Sequence, residues 1–336
     1  LGQLGAEVIK IEPPGGDPVR RRPPLLDTPA GGASVAFEFL NAGKSSQVCD
    51  DSTMTAVLDR VAAADIVIAD HLALRSLRLE IPPRRLGQLH VFAGPYGGSP
   101  DAAAPSSPLT RLHAGTSGYL IPADAEPTAR PGWPGPYVFE AIGGVGLALA
   151  VVAEHLRPEG GVVDYSLQAY GLWLEKLLYS RTSVRGIDFH RTTAVYPYGG
   201  NIACRDGYVA IFVIEERQWR GFAAMIGRPE WLTDERFADG VLRSSNRAPI
   251  AAELAAWCAA RTVEEVITAG TKHDVPMGRV RRPRDVLSSD VLLDRGFFRP
   301  RHSDLGTIAV PSLPFGPAAG GRVDRPSPQL GADQPG

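Results

Sequence analysis

The chain is poor in several things, and each shortage excludes something. Only three cysteines, Cys49, Cys204 and Cys258, occur in 336 residues. They are odd in number, far apart and form no CxxC, so neither a disulfide framework nor a cysteine-based zinc site is encoded, and a reducing, cytoplasmic setting is expected. No apolar run approaches the roughly 18 residues that span a bilayer. The longest, 142–153, makes only about three helical turns. The chain opens on LGQLGAEVIKIE, without a charged, apolar leader, and reads as though it starts inside a helix-to-strand unit, which leads us to expect residues upstream. Excess charge of either sign is also missing: 35 Lys+Arg face 37 Asp+Glu, a formal charge of -2. No overall basic field therefore points to nucleic acid or to an anionic membrane.

Familiar catalytic signatures are equally scarce. There is no GxGxxG after a strand, no GxxxxGK[ST], no HExxH and no GxSxG elbow. The seven histidines are scattered, so no metal site is expected. GGVG (143–146) lies inside a helical pattern, where close helix packing explains it. The run Arg20–Arg21–Arg22 fits a solvated face or a phosphate contact.

What is present is 44% hydrophobic residues in a chain long enough for one large domain or two modest ones. Gly (37) and Pro (30) make about a fifth of it, below the roughly 25–30% of low-complexity chains. The periodicity predicts a strand at 7–12, a helix at 53–64, strands at 65–70 and 89–94, and a buried helix at 140–156. A strand follows from 162, turning into an amphipathic helix that runs to 180. Residues 95–136 read as a long loop with a short helix near 109–119, and 181–198 as a linker. A second unit begins near Gly199, with a hairpin turning at DGY (206–208) and helices at 217–227, 247–261 and 262–274. PMG (276–278) reads as a turn, LGTIAVP as a strand, and the end as a Pro/Gly-rich tail. Helices alternating with apolar strands predict an α/β fold with a parallel sheet of Rossmann type.

A specific pattern overlies this frame. LGQLGAEVIKIEPPGGDPVR (1–20) resembles L-G-A-x-V-I-K-x-E-x-P-x-G-D-x-x-R, the opening of the class III CoA-transferases, or CaiB/BaiF family. The match runs through Gly5, Ala6, Val8, Ile9, Lys10, Glu12, Pro14, Gly16, Asp17 and Arg20. FLNAGKSSQVCD (39–50), AAADIVIADH (62–71), GPY (94–96), the helix with GGVVDYSL (160–167), DGYVAIFVIEERQWRGFAAMIGRPEW (206–231) and PMGRVRRPRDVLSSDVLLDRGFF (276–298) resemble further family segments in the family's order.

The resemblance implies a large Rossmann-like domain built from both chain ends (1–182 and 291–336) and, across 183–290, a linker with a smaller inserted α+β domain. It implies an interlocked homodimer. Acyl-CoA and carboxylate substrates are expected, with no permanently bound cofactor, metal, nucleic-acid or membrane partner. A carboxylate would attack the thioester, and a mixed anhydride and an enzyme thioester would follow.

Carried onto this chain, the nucleophile's place, four residues before a Gly, falls on Glu140 with Gly144 following, where the family has Asp. Gly143 and Gly144 would keep the backbone open beside it. An alternative reading makes Glu140 only a first-turn acid favoured by the helix dipole. Lys10, Lys44, Arg20 and Arg111 are candidates for CoA phosphates. His71 falls in Asp70-His71-Leu72-Ala73-Leu74, where the family has N-F-R-P-G at the edge of the CoA site. The family's Glu-Arg reads Glu12-Pro13 here, and an inward Asp70 would repel phosphates. His113 lies one helical turn from the position of the racemases' His, near Leu109. Three functions follow: CoA transfer through Glu140, a non-catalytic family member or partner subunit, and an acyl-CoA racemase or epimerase, which the displaced His disfavours.

Overall fold

The computed structural model describes residues 1–28, 31–94, 138–174, 180, 183–184, 186, 199–303, 306–313 and 325–333. These divide into two compact units. The described residues of Leu1–Leu120, Pro131–Ile187 and Asp290–Gly336 form the first, and those of Ile121–Arg130 and Asp188–Ser289 the second.

The first unit is α/β. Strand β1 (Ile9–Glu12) is followed by the hairpin β2 (Leu25–Thr28) and β3 (Gly31–Ser34), helix α1 (Val35–Leu40) and β4 (Ser45–Val48). The Ser34 hydroxyl accepts from Phe37 N–H and starts α1. β1 and β4 pair in parallel, Lys10 opposite Ser46 and Glu12 opposite Val48. Then come α2 (Met54–Ala63), β5 (Ile66–Ala69), α3 (His71–Leu77), β6 (Leu89–Gly94), α4 (Val138–His155), β7 (Gly161–Ser166) and α5 (Leu167–Leu174). β5, β6 and β7 form a parallel sheet in that order. Leu89, Val91 and Val151 make a core between this sheet and α4. Cys49, Val57, Val61 and Leu79 make another under α2, joined by Ile11 and Val67.

The second unit is a small α+β body. β8 (Gly199–Cys204) and β9 (Gly207–Phe212) form the hairpin, and helices α6 (Glu216–Ile226), α7 (Arg247–Ala259) and α8 (Val263–Lys272) cover one face. Trp219 stacks on Trp231 with ring centroids 5.9 Å apart. α8 opens with a capping box between Thr262 and Glu265. PMG is not a turn here: β10 (Met277–Arg279) pairs antiparallel with Ile211–Val209 of β9. Local composition favours a turn, but the pairing partner is distant in sequence and overrides it. A last hairpin, β11 (Phe298–Ser303) with β12 (Gly306–Pro311), belongs to the first unit.

One carboxylate joins the opening loop to β4. Glu12 is 1% exposed. Its Oε2 accepts from Arg20 Nε (2.7 Å) and Asp17 N–H (2.9 Å), and its Oε1 from Arg20 Nη2 (2.7 Å) and the Ser46 hydroxyl (2.7 Å). Arg20 also donates to Pro328 O at 3.0 Å and lies over the Phe37 ring. Ser46 accepts from Gly331 N–H, and its own N–H donates to Asp333. Nearby, buried Arg301 pairs with Glu38, whose carboxylate accepts from Ser327. The described residues 327–333 therefore lie against Arg20, Glu38 and β4.

Burial alone would raise the Glu12 pKa, but Arg20, Asp17 N–H and Ser46 outweigh it and hold it at about 2, from 4.5. The unfolded state binds the proton first, so this stabilisation is complete above about pH 4.5 and is lost as pH falls through about 2. Arg20→Met leaves the buried carboxylate unpaired and is expected to cost about 3–5 kcal/mol in urea denaturation at neutral pH. The same variant loses most of the wild-type acid sensitivity in that window. Wild-type stability in Arg20→Met would contradict the assignment.

Candidate functional site

The three parallel strands end side by side, with Gly94 opposite Ser166 and Ala69 opposite Phe92. Helices begin at that edge. α3 starts at His71, and Asp70 Oδ1 accepts from Ala73 N–H at 3.0 Å. Asp70, which replaces an Asn of the family pattern, thus works as an N-cap. α5 starts at Leu167, with Ser166 Oγ accepting from Ala169 N–H at 3.1 Å. α4 runs back along the sheet, so its first turns lie by the ends of β6 and β7. In open α/β sheets, ligands bind at this edge, and helix N-termini there favour anions.

α4 carries no charged residue from Ala141 to Ala153. Its inward face is built for close approach. A Cβ on Gly143 would sit 2.3 Å from Leu167 Cδ2, and one on Gly146 would sit 2.6 Å from the Tyr165 hydroxyl and 2.4 Å from the Tyr170 ring. Tyr165 donates to Gly143 O at 2.7 Å. Gly144 faces open space. Glu140 is the third residue of this helix, one turn before Gly144. Glu140, Gly143 and Gly144 thus share the first two turns of α4. The side chains of Glu140 and His71 lie outside the described residues, as do Arg111, His113 and the whole loop 95–136.

A second group of predicted residues gathers on β1 and β4. Lys44 Nζ donates to Asn41 Oδ1 at 2.9 Å. Lys10 pairs with Asp17 at 2.5 Å. Burial, then the Lys10 charge, lower the Lys44 pKa from 10.5 to about 8, against the opposing pull of Asp17 and Glu12. Arg20 is engaged by Glu12 and Pro328. The family's opening motif therefore does structural work here: Asp17 also caps a short helical turn by accepting from Val19 N–H. Among the described residues, no group of three His, Cys, Asp or Glu side chains is arranged to hold a metal. No described helix is long and apolar enough to cross a membrane.

Sequence reasoning missed Tyr165. Its signal was present: GGVVDYSL carries Tyr where the family block G-R-G-Q-x-V-D-V-S-L has Val.

The parallel sheet with helix termini at its carboxyl edge defines an α/β protein. The profile of CoA-transferase family III matches residues 1–334. The chain belongs to that family. It is 28% identical to "Probable CoA-transferase Rv1866" of Mycobacterium tuberculosis, an alignment covering 100% of this chain and 44% of that protein. The chain thus spans less than half the length of this relative. It is 26% identical to the succinyl-CoA:mesaconate CoA-transferase of Haloarcula marismortui, over 96% of this chain and 87% of the relative. A crystal structure of a CAIB/BAIF family protein from Brucella suis shares the fold, with a TM-score of 0.77 and 21% identity, covering 98% of this chain and 90% of that one.

The depressed Lys44 pKa has a direct consequence. Competitive acylation with acetic anhydride, read by mass spectrometry, is expected to give a Lys44 midpoint near pH 8, and Lys10→Met is expected to move it upward. A midpoint at the ordinary 10.5 would contradict the burial described.

Proposed function

We propose that this protein transfers CoA from an acyl-CoA to a carboxylic acid through Glu140. The observation carrying the reading is a carboxylate residue in the first turn of α4, one turn before Gly144, in a chain matched to the family from end to end. The Glu140 carboxylate attacks the thioester carbonyl, the C–S bond breaks and CoA thiolate leaves, forming a mixed anhydride. The thiolate attacks the glutamyl carbonyl and releases the donor acid, leaving a glutamyl-CoA thioester. The acceptor carboxylate displaces CoA to give a second anhydride. CoA thiolate then takes the acceptor acyl group and frees Glu140. Every bond broken is replaced, so the cycle needs no net proton or redox change. Lys44 is the cation we assign to CoA phosphates; Lys10 is taken up by Asp17. We assign no phosphate role to Arg20, because Glu12 occupies its guanidinium.

The relatives include proteins named for transfer from succinyl-CoA to mesaconate and to L-malate. We take small dicarboxylic acids as the first acceptors to assay. We also propose a homodimer. Ile142, Val145, Leu149 and Val152 of α4, with Leu156 just past its end, recur at alternating spacings of three and four and are exposed, Leu149 by 72%. Such a seam fits a second helix. Light scattering is expected to give twice the 35.9 kDa chain mass, and a monomer would remove this part.

Glutamate where the family has aspartate favours one other reading, CoA binding without turnover. Glu140→Gln is expected to abolish transfer with fold and CoA affinity intact. Glu140→Asp shortens the side chain by about 1 Å, a displacement worth up to roughly 10²-fold in rate. Its rate would rise if the site is strained toward the family geometry. Unchanged transfer in Glu140→Gln would sink the nucleophile. Micromolar acyl-CoA binding by the wild type without transfer to any acid would select the non-catalytic reading.

A further inference from the structure

We infer that Tyr165 is a positioning residue that sets the place of Glu140 through the hydrogen bond from its hydroxyl to Gly143 O. The inference rests on the role proposed for Glu140. Tyr165 ends β7 next to Ser166, so its backbone is fixed by pairing with Ala93 of β6. Its ring is 6.0 Å from that of Tyr170, which in turn stacks on Trp173 at 5.9 Å. The hydroxyl reaches α4 where Gly146 has no side chain, and no Cβ fits there. Gly143 O is 2.7 Å away.

This contact lies on the backbone three residues after Glu140. A carbonyl has two lone pairs, so Gly143 O accepts from Tyr165 without leaving the helical ladder. The bond therefore fixes how far α4 slides and rotates against β7 at its first turns. The apolar contacts of Val151 fix the helix farther on, where they restrain position 140 less. Burial raises the Tyr165 pKa to about 12, so the hydroxyl stays a donor across the working pH range. The sequence here supplies a longer nucleophile than the family pattern and a Tyr where that pattern has Val. A tighter hold on the helix that carries the changed carboxylate is a consistent pairing.

The test uses Tyr165→Phe, which keeps the ring and deletes the hydroxyl, beside Gly146→Ala, which pushes against it. Both are assayed in the full chain for kcat, KM for acyl-CoA, pH profile and melting temperature, with kcat expressed per folded site. Positioning predicts kcat lower by about tenfold in each, with KM and the shape of the pH profile unchanged. Wild-type kcat in both variants, or a fall in melting temperature alone, would overturn it, as would a change confined to KM. If either variant fails to fold, the other still decides. Glu140→Gln is run alongside. If it is dead while Tyr165→Phe is wild type, only the positioning role fails. If it is active, or if the wild type is inactive, the nucleophile assignment fails instead.

Discussion

A buried carboxylate needs donors, and Glu12 finds four of them. Two come from Arg20, one from the Asp17 backbone and one from Ser46. Removing this charge from water is expensive, and only this full complement offsets it. The donors are themselves tied down: Arg20 by Pro328 and Phe37, Ser46 by Gly331 and Asp333. The opening loop, the second parallel strand of the pair and residues 328–333 thus meet around one carboxylate. Glu12, Asp17 and Arg20 of the motif that identifies the family most sharply take part in this arrangement.

The pairing of β1 with β4 brings Lys44 and Lys10 near Glu12 and Asp17, a mixed field in which burial makes Lys44 easy to discharge. The chemistry is assigned elsewhere in the unit, at the edge where the parallel strands end. There the helix bearing Glu140 is uncharged for three turns and notched by glycines, and it packs on Leu167 and Tyr170 and accepts from the Tyr165 hydroxyl. If Glu140 is the nucleophile we propose, its geometry depends on the contacts of Gly143, Gly146 and Tyr165.

Much of this was legible in the sequence. The strand at 89–94, the hairpin turning at 206–208 and the helix at 140–156 follow from apolar runs and hairpin signals whose causes are local, but the expected burial of that helix does not hold: Val145 and Leu149 are exposed, and only Gly143 and Val151 are buried among 141–155. The family was legible because its opening motif is long and ordered. What escaped has non-local causes. Met277–Arg279 is extended only because β9 is beside it. The Pro-rich tail shows no period, and its described residues Ser327 and Asp333 are held by hydrogen bonds with Glu38, Ser46 and Gln47. Arg20 is a pair for Glu12, although a run of three arginines reads as a solvated face or a phosphate contact. Asp70 caps α3, a role visible only once the helix is seen to begin at His71. Tyr165 was a departure whose meaning depended on the glycine opposite it.

The central claim is that Glu140 bonds covalently to CoA during transfer. The most direct measurement is to incubate the protein with an acyl-CoA, quench it, and map the adduct by peptide mass spectrometry with hydroxylamine capture. The account predicts a hydroxamate on Glu140, dependent on acyl-CoA and absent in Glu140→Gln. An adduct on another carboxylate, or turnover with no adduct on any, would contradict it.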